Sequence, residues 1–326
     1  MDTLMLCVSF LMSLAAALVI LIAAVLIYNH HHPSTAAPSS TSTTTTTATP
    51  TAPTASTPGK TFAPYLLLSS PTAANIGKYS TWTTLAFVVG YSGSTIKWDS
   101  GAVSASTVKS KANGHCIVSF GGQTAGSKKA PYYNELAGKY TDSAKLADAY
   151  AAVANALGAT ILDFDVEEDA VHDTAACERR HAALAALQKK NPAIRIHFTV
   201  PVEMAGVPST VKTMLQNAKK AGVSISVVNL MTMYFNKSGT KMADACWKAV
   251  DASRSFITGL GAKIGITPQI GKNPDAPYTK ENFTLADATA LVAKAKADPD
   301  VALMAFWEVG RDAGGKYAAA FKSFET

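Results

Sequence analysis

The chain has 326 residues, 48% of them hydrophobic, with 29 Lys and Arg against 23 Asp and Glu, for a net charge of +6. The basic residues are dispersed, as in Lys128-Lys129, Lys189-Lys190 and Lys219-Lys220, and are not interleaved with aromatics, which argues against a nucleic-acid interface. The four cysteines, Cys7, Cys116, Cys177 and Cys246, show no metal-ligand spacing; no disulfide is assigned and no metal or other cofactor is expected.

In chain order, the first feature is an apolar run from Leu4 to Tyr28 that carries no charge. As a helix it would exceed the ~30 Å hydrocarbon core of a bilayer. It is longer than the core of a signal peptide and lacks a basic flank, so an uncleaved membrane anchor is favoured over a cleaved signal, for which Ser34-Thr35-Ala36 is the candidate site. Residues 1–32 are read as anchor or signal, and the remainder as exported, membrane-anchored or secreted. Orientation is weakly encoded without Lys or Arg beside the apolar run. His30-His31-His32 reads as an uncharged membrane-edge spacer before it reads as a metal site. Residues 33–59 are Ser, Thr, Pro and Ala with almost nothing else, and are expected to form a disordered, extended linker.

Residues 60–326 alternate short apolar runs with amphipathic stretches. That pattern predicts a parallel sheet with crossover helices. Strands are expected at Phe62–Ser69, Thr84–Gly90, Cys116–Phe120, Thr160–Val166, Ile194–Val200, Ser224–Met233, Lys263–Thr267 and Val301–Trp307. Helices are expected at Ser143–Leu157, Thr174–Lys190, Pro208–Ala221, Met242–Leu260, Thr284–Ala297 and Ala313–Phe324. Eight such units in about 267 residues fit an α/β fold of the (β/α)8 TIM-barrel kind, with functional residues at the C-terminal strand ends.

The fourth predicted strand carries Asp163, Asp165 and Glu167 interleaved with Leu162, Phe164 and Val166. Side chains of a strand alternate between its faces, so the three acids share one face. Three acids on a largely buried face repel and are costly to desolvate. The arrangement suits a site where one acid keeps its proton near neutral pH while its neighbours tune it. A calcium loop starting at Asp163 is excluded, because Glu168 and Thr174 stand where it needs Gly and Glu. Glu168 and Asp169 read as a solvated turn.

Asp163-Phe164-Asp165-Val166-Glu167 resembles the Asp-x-Asp-x-Glu signature of glycoside hydrolase family 18, the chitinase family. Phe62-Ala63-Pro64-Tyr65 is similar to the first strand of bacterial members. Ser119-Phe120-Gly121-Gly122 is similar to the third-strand Ser-x-Gly-Gly motif. Val228 to Met233 resembles the sixth strand, and Met304-Ala305-Phe306-Trp307 the eighth. These matches fall in family order over about residues 60–315. The family's Asp-Gly before the signature is Thr160-Ile161 here.

The resemblance implies endo-acting, substrate-assisted, retaining hydrolysis of β-1,4-linked N-acetylglucosamine polymers. It implies Glu167 as the acid, Asp165 as the acetamido partner, and Asp163 sharing a proton with Asp165. Trp307 would form the floor beneath the sugar, with Met231 and Met233 beside it. Tyr65, Gln123 and Gln269, at predicted strand ends, are candidate sugar contacts. The family's Met-x-Tyr-Asp is altered, since Tyr234 stands in the Asp position or, shifted by one, supplies the Tyr. Alternation points Tyr234 away from Met231 and Met233, and a bulge would reverse this. Tyr234 is expected to contribute, with Asn236 as a substitute polar group or a turn cap. Two other functions fit the motifs: endo-β-N-acetylglucosaminidase action on N-glycans, and carbohydrate binding without catalysis.

Overall fold

The structure, a computed structural model, describes residues 59–90, 96–129, 133–235 and 241–325. The apolar run, the linker, His30 to His32, Cys7 and Asn236 lie outside the described residues. Among the described residues no helix is long and apolar enough to cross a membrane.

The strands are β1 (Thr61–Phe62), β2 (Tyr65–Leu67), β3 (Thr83–Gly90), β4 (Ile96–Trp98), β5 (Cys116–Gly121), β6 (Ile161–Asp165), β7 (Arg195–Pro201), β8 (Ile225–Met231), β9 (Lys263–Thr267), β10 (Gly271–Lys272), β11 (Asn282–Phe283) and β12 (Val301–Met304). The main sheet runs β1-β12-β9-β8-β7-β6-β5-β3-β2, parallel throughout, with β4 added antiparallel to β3. It curls into a (β/α)8 barrel-like sheet with helices around it. The stretch expected as one strand, Phe62–Ser69, is split between β1 and β2. Pro64 has no N–H to give a ladder. The two halves take different neighbours: Phe62 pairs with Met304 of β12, and Tyr65 with Thr84 of β3. The first strand therefore joins the two ends of the sheet. Phe62 also stacks on Phe321, and Lys60 Nζ donates to the carbonyls of Ala295, Asp298 and Val301.

The helices are α1 (Ala105–Ala112), α2 (Gln123–Gly126), α3 (Leu136–Lys139), α4 (Ser143–Leu157), α5 (Asp169–His172), α6 (Thr174–Lys190), α7 (Ser209–Lys220), α8 (Met242–Gly259), α9 (Leu285–Ala297) and α10 (Lys316–Lys322). Local chemistry sets their ends. Asp142 accepts from the amides of Ala144 and Lys145 to start α4. Thr284 and Asp287 form a reciprocal capping box on α9. The helix expected over Ala313–Phe324 begins only at Lys316, because Gly314 and Gly315 adopt φ of +80° and +69°. Two more expected strands are shorter than the sequence suggested. β8 stops at Met231 and β12 at Met304, where the chain turns over the mouth of the sheet.

Outward residues such as Leu162, Phe164 and Phe198 pack against the helices in the main core. Inward residues form layers. The lowest holds Ala63, Ile117, Ile161, Val227 and Leu303. Above it lie polar side chains, and above those the mouth.

Candidate active site

The site begins with the alternation of β6. Ile161 joins the apolar layer below, Asp163 sits one layer up, and Asp165 ends the strand. Asp163 is only 2% exposed, yet its carboxylate is fully engaged. Oδ2 accepts from Ser119 Oγ at 2.6 Å and Tyr65 Oη at 3.1 Å, and Oδ1 from Thr199 Oγ1 at 2.7 Å. Asn229 Nδ2 donates to Thr199 Oγ1 and Tyr65 Oη, and Thr267 Oγ1 donates to Asn229 Oδ1. Burial raises the Asp163 pKa to about 6 despite the three hydroxyls, each of which favours its charge.

Asp163 is held by three hydroxyls, and Asp165 stands above it, electrostatically coupled to both Glu167 and Asp163. Burial, then the charge of Glu167, raise Asp165 well above the carboxylate range, and its Oδ1 has no partner. Burial, aided by the charge of Glu168, lifts Glu167 to about 7 against the opposing effects of the Asp165 carboxyl and the Gln123 amide. The pair thus retains a proton near neutral pH, as a general acid requires.

Two glycines permit this crowding. Gly121 has φ +103°, and a Cβ there would lie 2.2 Å from the Asp165 carbonyl oxygen. Gly122 has φ +84°, donates its N–H to that oxygen at 3.0 Å, and would place a Cβ 2.7 Å from the Phe87 ring. The Gly-Gly pair therefore lets β5 lean onto the end of β6 and delivers Gln123 to the cleft.

These acids open into a cleft of about 730 Å³. Trp307 lines it, stacked on Phe87 at 5.7 Å and tilted against Tyr65 at 5.9 Å. Met231, Met233, Gln123 and Gln269 also line it. Tyr65 lines the cleft, and its hydroxyl belongs to the Asp163 network. Gln123 Nε2 bonds Glu168 at 3.2 Å, so Glu168 is part of the cleft and more than a solvated turn. Gln269 is 6% exposed and its Nε2 has no partner.

Tyr234 settles into the cleft by a break in the strand. The Met233 N–H donates to the Met231 carbonyl at 3.0 Å, a three-residue turn, and Tyr234 has φ +59°. Alternation fails there, so Met231, Met233 and Tyr234 all line the cleft. The Tyr234 N–H donates to buried Glu281 at 3.0 Å and its hydroxyl to Asp275 Oδ2 at 2.7 Å. Sequence reasoning missed Asp275, Tyr278 and Glu281, on the segment between β9 and α9, and the inward Thr199, Asn229 and Thr267. The last three were signalled by polar residues recurring at every second position of apolar strands. Among the described residues no group of three or more His, Cys, Asp or Glu is arranged to hold a metal.

No family model matches the chain. It is 28% identical over 227 residues to a probable bifunctional chitinase/lysozyme of Escherichia coli (strain K12), covering 63% of this chain and 24% of that protein. It is 28% identical over 224 residues to Endochitinase 11 of Metarhizium anisopliae, covering 62% and 41%. The chain thus spans well under half the length of these curated relatives. The catalytic domain of a hyperthermophilic chitinase from Pyrococcus furiosus superposes with a TM-score of 0.69 at 25% identity, over 82% of this chain and 95% of that one. A GH18 chitinase from Pseudoalteromonas aurantia shares the fold, with a TM-score of 0.55 at 16% identity. The described barrel is similar in sequence to these chitinases and in fold to the catalytic domains of family 18. The barrel places its acids at the C-terminal end of β6, where barrels of this architecture carry their chemistry.

Proposed function

We propose that the protein is an endo-acting chitinase that cleaves β-1,4-linked N-acetylglucosamine polymers by a substrate-assisted, retaining route. The observation that carries this reading is the pair of carboxyl groups, Asp165 and Glu167, in the cleft lining above a fully engaged Asp163. Glu167 gives its proton to the glycosidic oxygen as the C1–O bond breaks. The sugar's own acetamido oxygen forms the new bond to C1, giving an oxazolinium ion. Family 18 is an exception to the two-carboxylate scheme in this respect. Asp165 Oδ1, buried and unpartnered, accepts the acetamido N–H and holds the acetamido oxygen against C1. Water then opens the ring with Glu167 as base, which restores its proton. Trp307 offers an aromatic face to the apolar face of the distorted sugar.

Tyr234 has one hydroxyl proton and gives it to Asp275, so it meets the substrate as an acceptor. That makes it a binding group for a sugar O–H or N–H in place of the donor to the acetamido oxygen. The test is hydrolysis of a labelled chitin oligosaccharide beside a labelled high-mannose glycopeptide. Cleavage of the first alone supports the reading; cleavage of the second alone overturns it in favour of N-glycan processing.

The apolar run from Leu4 to Tyr28 supports attachment to a membrane or export, with residues 33–59 as spacer and residues 60–326 as the catalytic unit. Expression of residues 60–326 alone should give soluble, active protein. Activity that requires the first 59 residues would overturn that division.

A further inference from the structure

A second group of buried charges stands beside the catalytic acids, and the reaction described above makes no use of it. Arg180 of α6 is 0% exposed, and Glu135, the residue before α3, is 2% exposed. Arg180 Nη2 lies 3.2 Å from Glu135 Oε1, and Nε donates to the same oxygen at 3.4 Å. The Ala137 N–H donates to that oxygen as well, at 3.3 Å. Arg180 Nη1 is 3.6 Å from Cys177 Sγ. Desolvating two ions largely cancels their attraction, and apolar residues of similar volume are often as stable. A buried pair is therefore weak evidence of a stabilising role.

Its position says more. These bonds fall on Oε1, and Oε2 faces the end of β5. A Cβ on Gly121 would lie 3.2 Å from Glu135 Oε2 and 2.2 Å from the Asp165 carbonyl oxygen, so the backbone of one glycine separates the two residues. The charge nearer to Asp165 is thus the carboxylate, with Arg180 behind it. The N–H groups of Asn134 and Glu135 both donate to the Ala125 carbonyl of α2, at 3.0 Å and 3.2 Å. In the same helix a Cβ on Gly126 would lie 2.4 Å from the Glu167 carbonyl oxygen. The Glu135 segment therefore abuts the backbones of both acids, through Gly121 and through α2.

After burial and the charges of Glu167 and Asp163, the charge of Glu135 also raises the pKa of Asp165. The other titratable groups facing Asp165 are Asp163 and Glu167 on its own run and Tyr65 of β2. Those facing Glu135 are Arg180 and Cys177 of α6, Tyr150 of α4 and Tyr133. Burial raises the three tyrosines and the thiol, so none of them changes charge between about pH 5 and 8. Resting on the function proposed above, we propose that Glu135 is a positioning residue. Anchored by Arg180, it fixes the backbone behind Asp165 and supplies a negative charge that helps Asp165 and Glu167 retain their proton.

The test is the pH profile of kcat/KM on a labelled, fully N-acetylated chitin oligosaccharide, for the full chain and two variants. Glu135→Gln keeps the shape and removes the charge. Glu135→Gln combined with Arg180→Met removes both charges, and carries the test where the single variant, with its uncompensated guanidinium, does not fold. Loss of the nearer negative charge makes the proton of the acid pair easier to lose. The alkaline limb, near pH 7 in the parent, should move lower by about half a unit to one unit in each folded variant. At about pH 8 that is roughly a three- to tenfold loss of rate. A merely structural pair would lower the rate by one factor at every pH and leave the limb in place. That result in a variant shown to be folded by circular dichroism overturns the inference, as does a limb that moves upward or a failure of both variants to fold. If the parent leaves the oligosaccharide intact, the proposed function has failed, and this inference falls with it.

Discussion

The middle layer of the barrel and its mouth are both polar, but they treat their polar atoms differently. In the middle layer both oxygens of Asp163 are bonded, and Tyr65, Thr199, Asn229 and Thr267 satisfy one another. At the mouth, one layer higher, Asp165 Oδ1 and Gln269 Nε2 have no protein partner. A satisfied buried network fixes positions, and an unsatisfied one waits for something to complete it. The middle layer is thus a rigid support, and the mouth is where substrate supplies the missing bonds.

The contrast breaks most visibly at Glu167. Glu167→Gln removes the proton donor with little change in volume, and kcat should fall about 10²–10⁴-fold while oligosaccharide binding persists. In the parent enzyme kcat/KM should decline as pH rises past about 7, where Glu167 loses its proton. A variant that still turns over normally, or a parent rate that climbs through that range, would sink the assignment.

The middle layer is tested through stability. The Asp163 pKa is raised from an ordinary 3.8 to about 6 in the fold, so the native state binds the proton more tightly than the unfolded chain. Its contribution is fully present below about pH 4 and is lost as pH rises through about 6. The size is about 3 kcal/mol, at about 1.4 kcal/mol per pKa unit. Thermal unfolding followed across that window should show the decline, and Asp163→Asn should make it shallower, leaving the share that Asp165 and Glu167 contribute. Thr199→Val, which strips a donor from the buried Asp163 Oδ1, should cost about 1–3 kcal/mol in chemical denaturation. An unchanged midpoint would mean that the network is not the support described here.

The smallest effect belongs to Tyr234. With its proton committed to Asp275, Tyr234→Phe should raise KM several-fold and alter kcat by no more than about twofold. A large loss of kcat at unchanged KM would instead make the hydroxyl a donor to the reacting acetamido group.

The three acids were readable in the sequence because they rest on period-two alternation, and the same period marks Thr199, Asn229 and Thr267 of the middle layer, which the sequence reading passed over. Asp163, Asp165 and Glu167 lie where that period puts them, and the helices at Ser143–Leu157 and Thr174–Lys190 match residue for residue. The mouth was harder to read, because its side chains stand where regular structure ends. Tyr234 reaches the cleft through a left-handed backbone conformation that alternation does not encode. Asp275 and Glu281 act on it from about forty residues further along the chain.

The split first strand bears on how the molecule assembles. Thr61 pairs with Leu303, so the ring is shut by a contact that spans most of the chain. Loop entropy delays contacts of that kind until the intervening units are in place, and folds rich in them form slowly. Until β12 exists, β2 can pair with β3, but β1 has no partner and β9 presents an open edge. Such edges invite pairing with other chains. Chains that end before Val301 should therefore aggregate where the complete chain does not, and that vulnerability should be confined to the time before the last strand arrives.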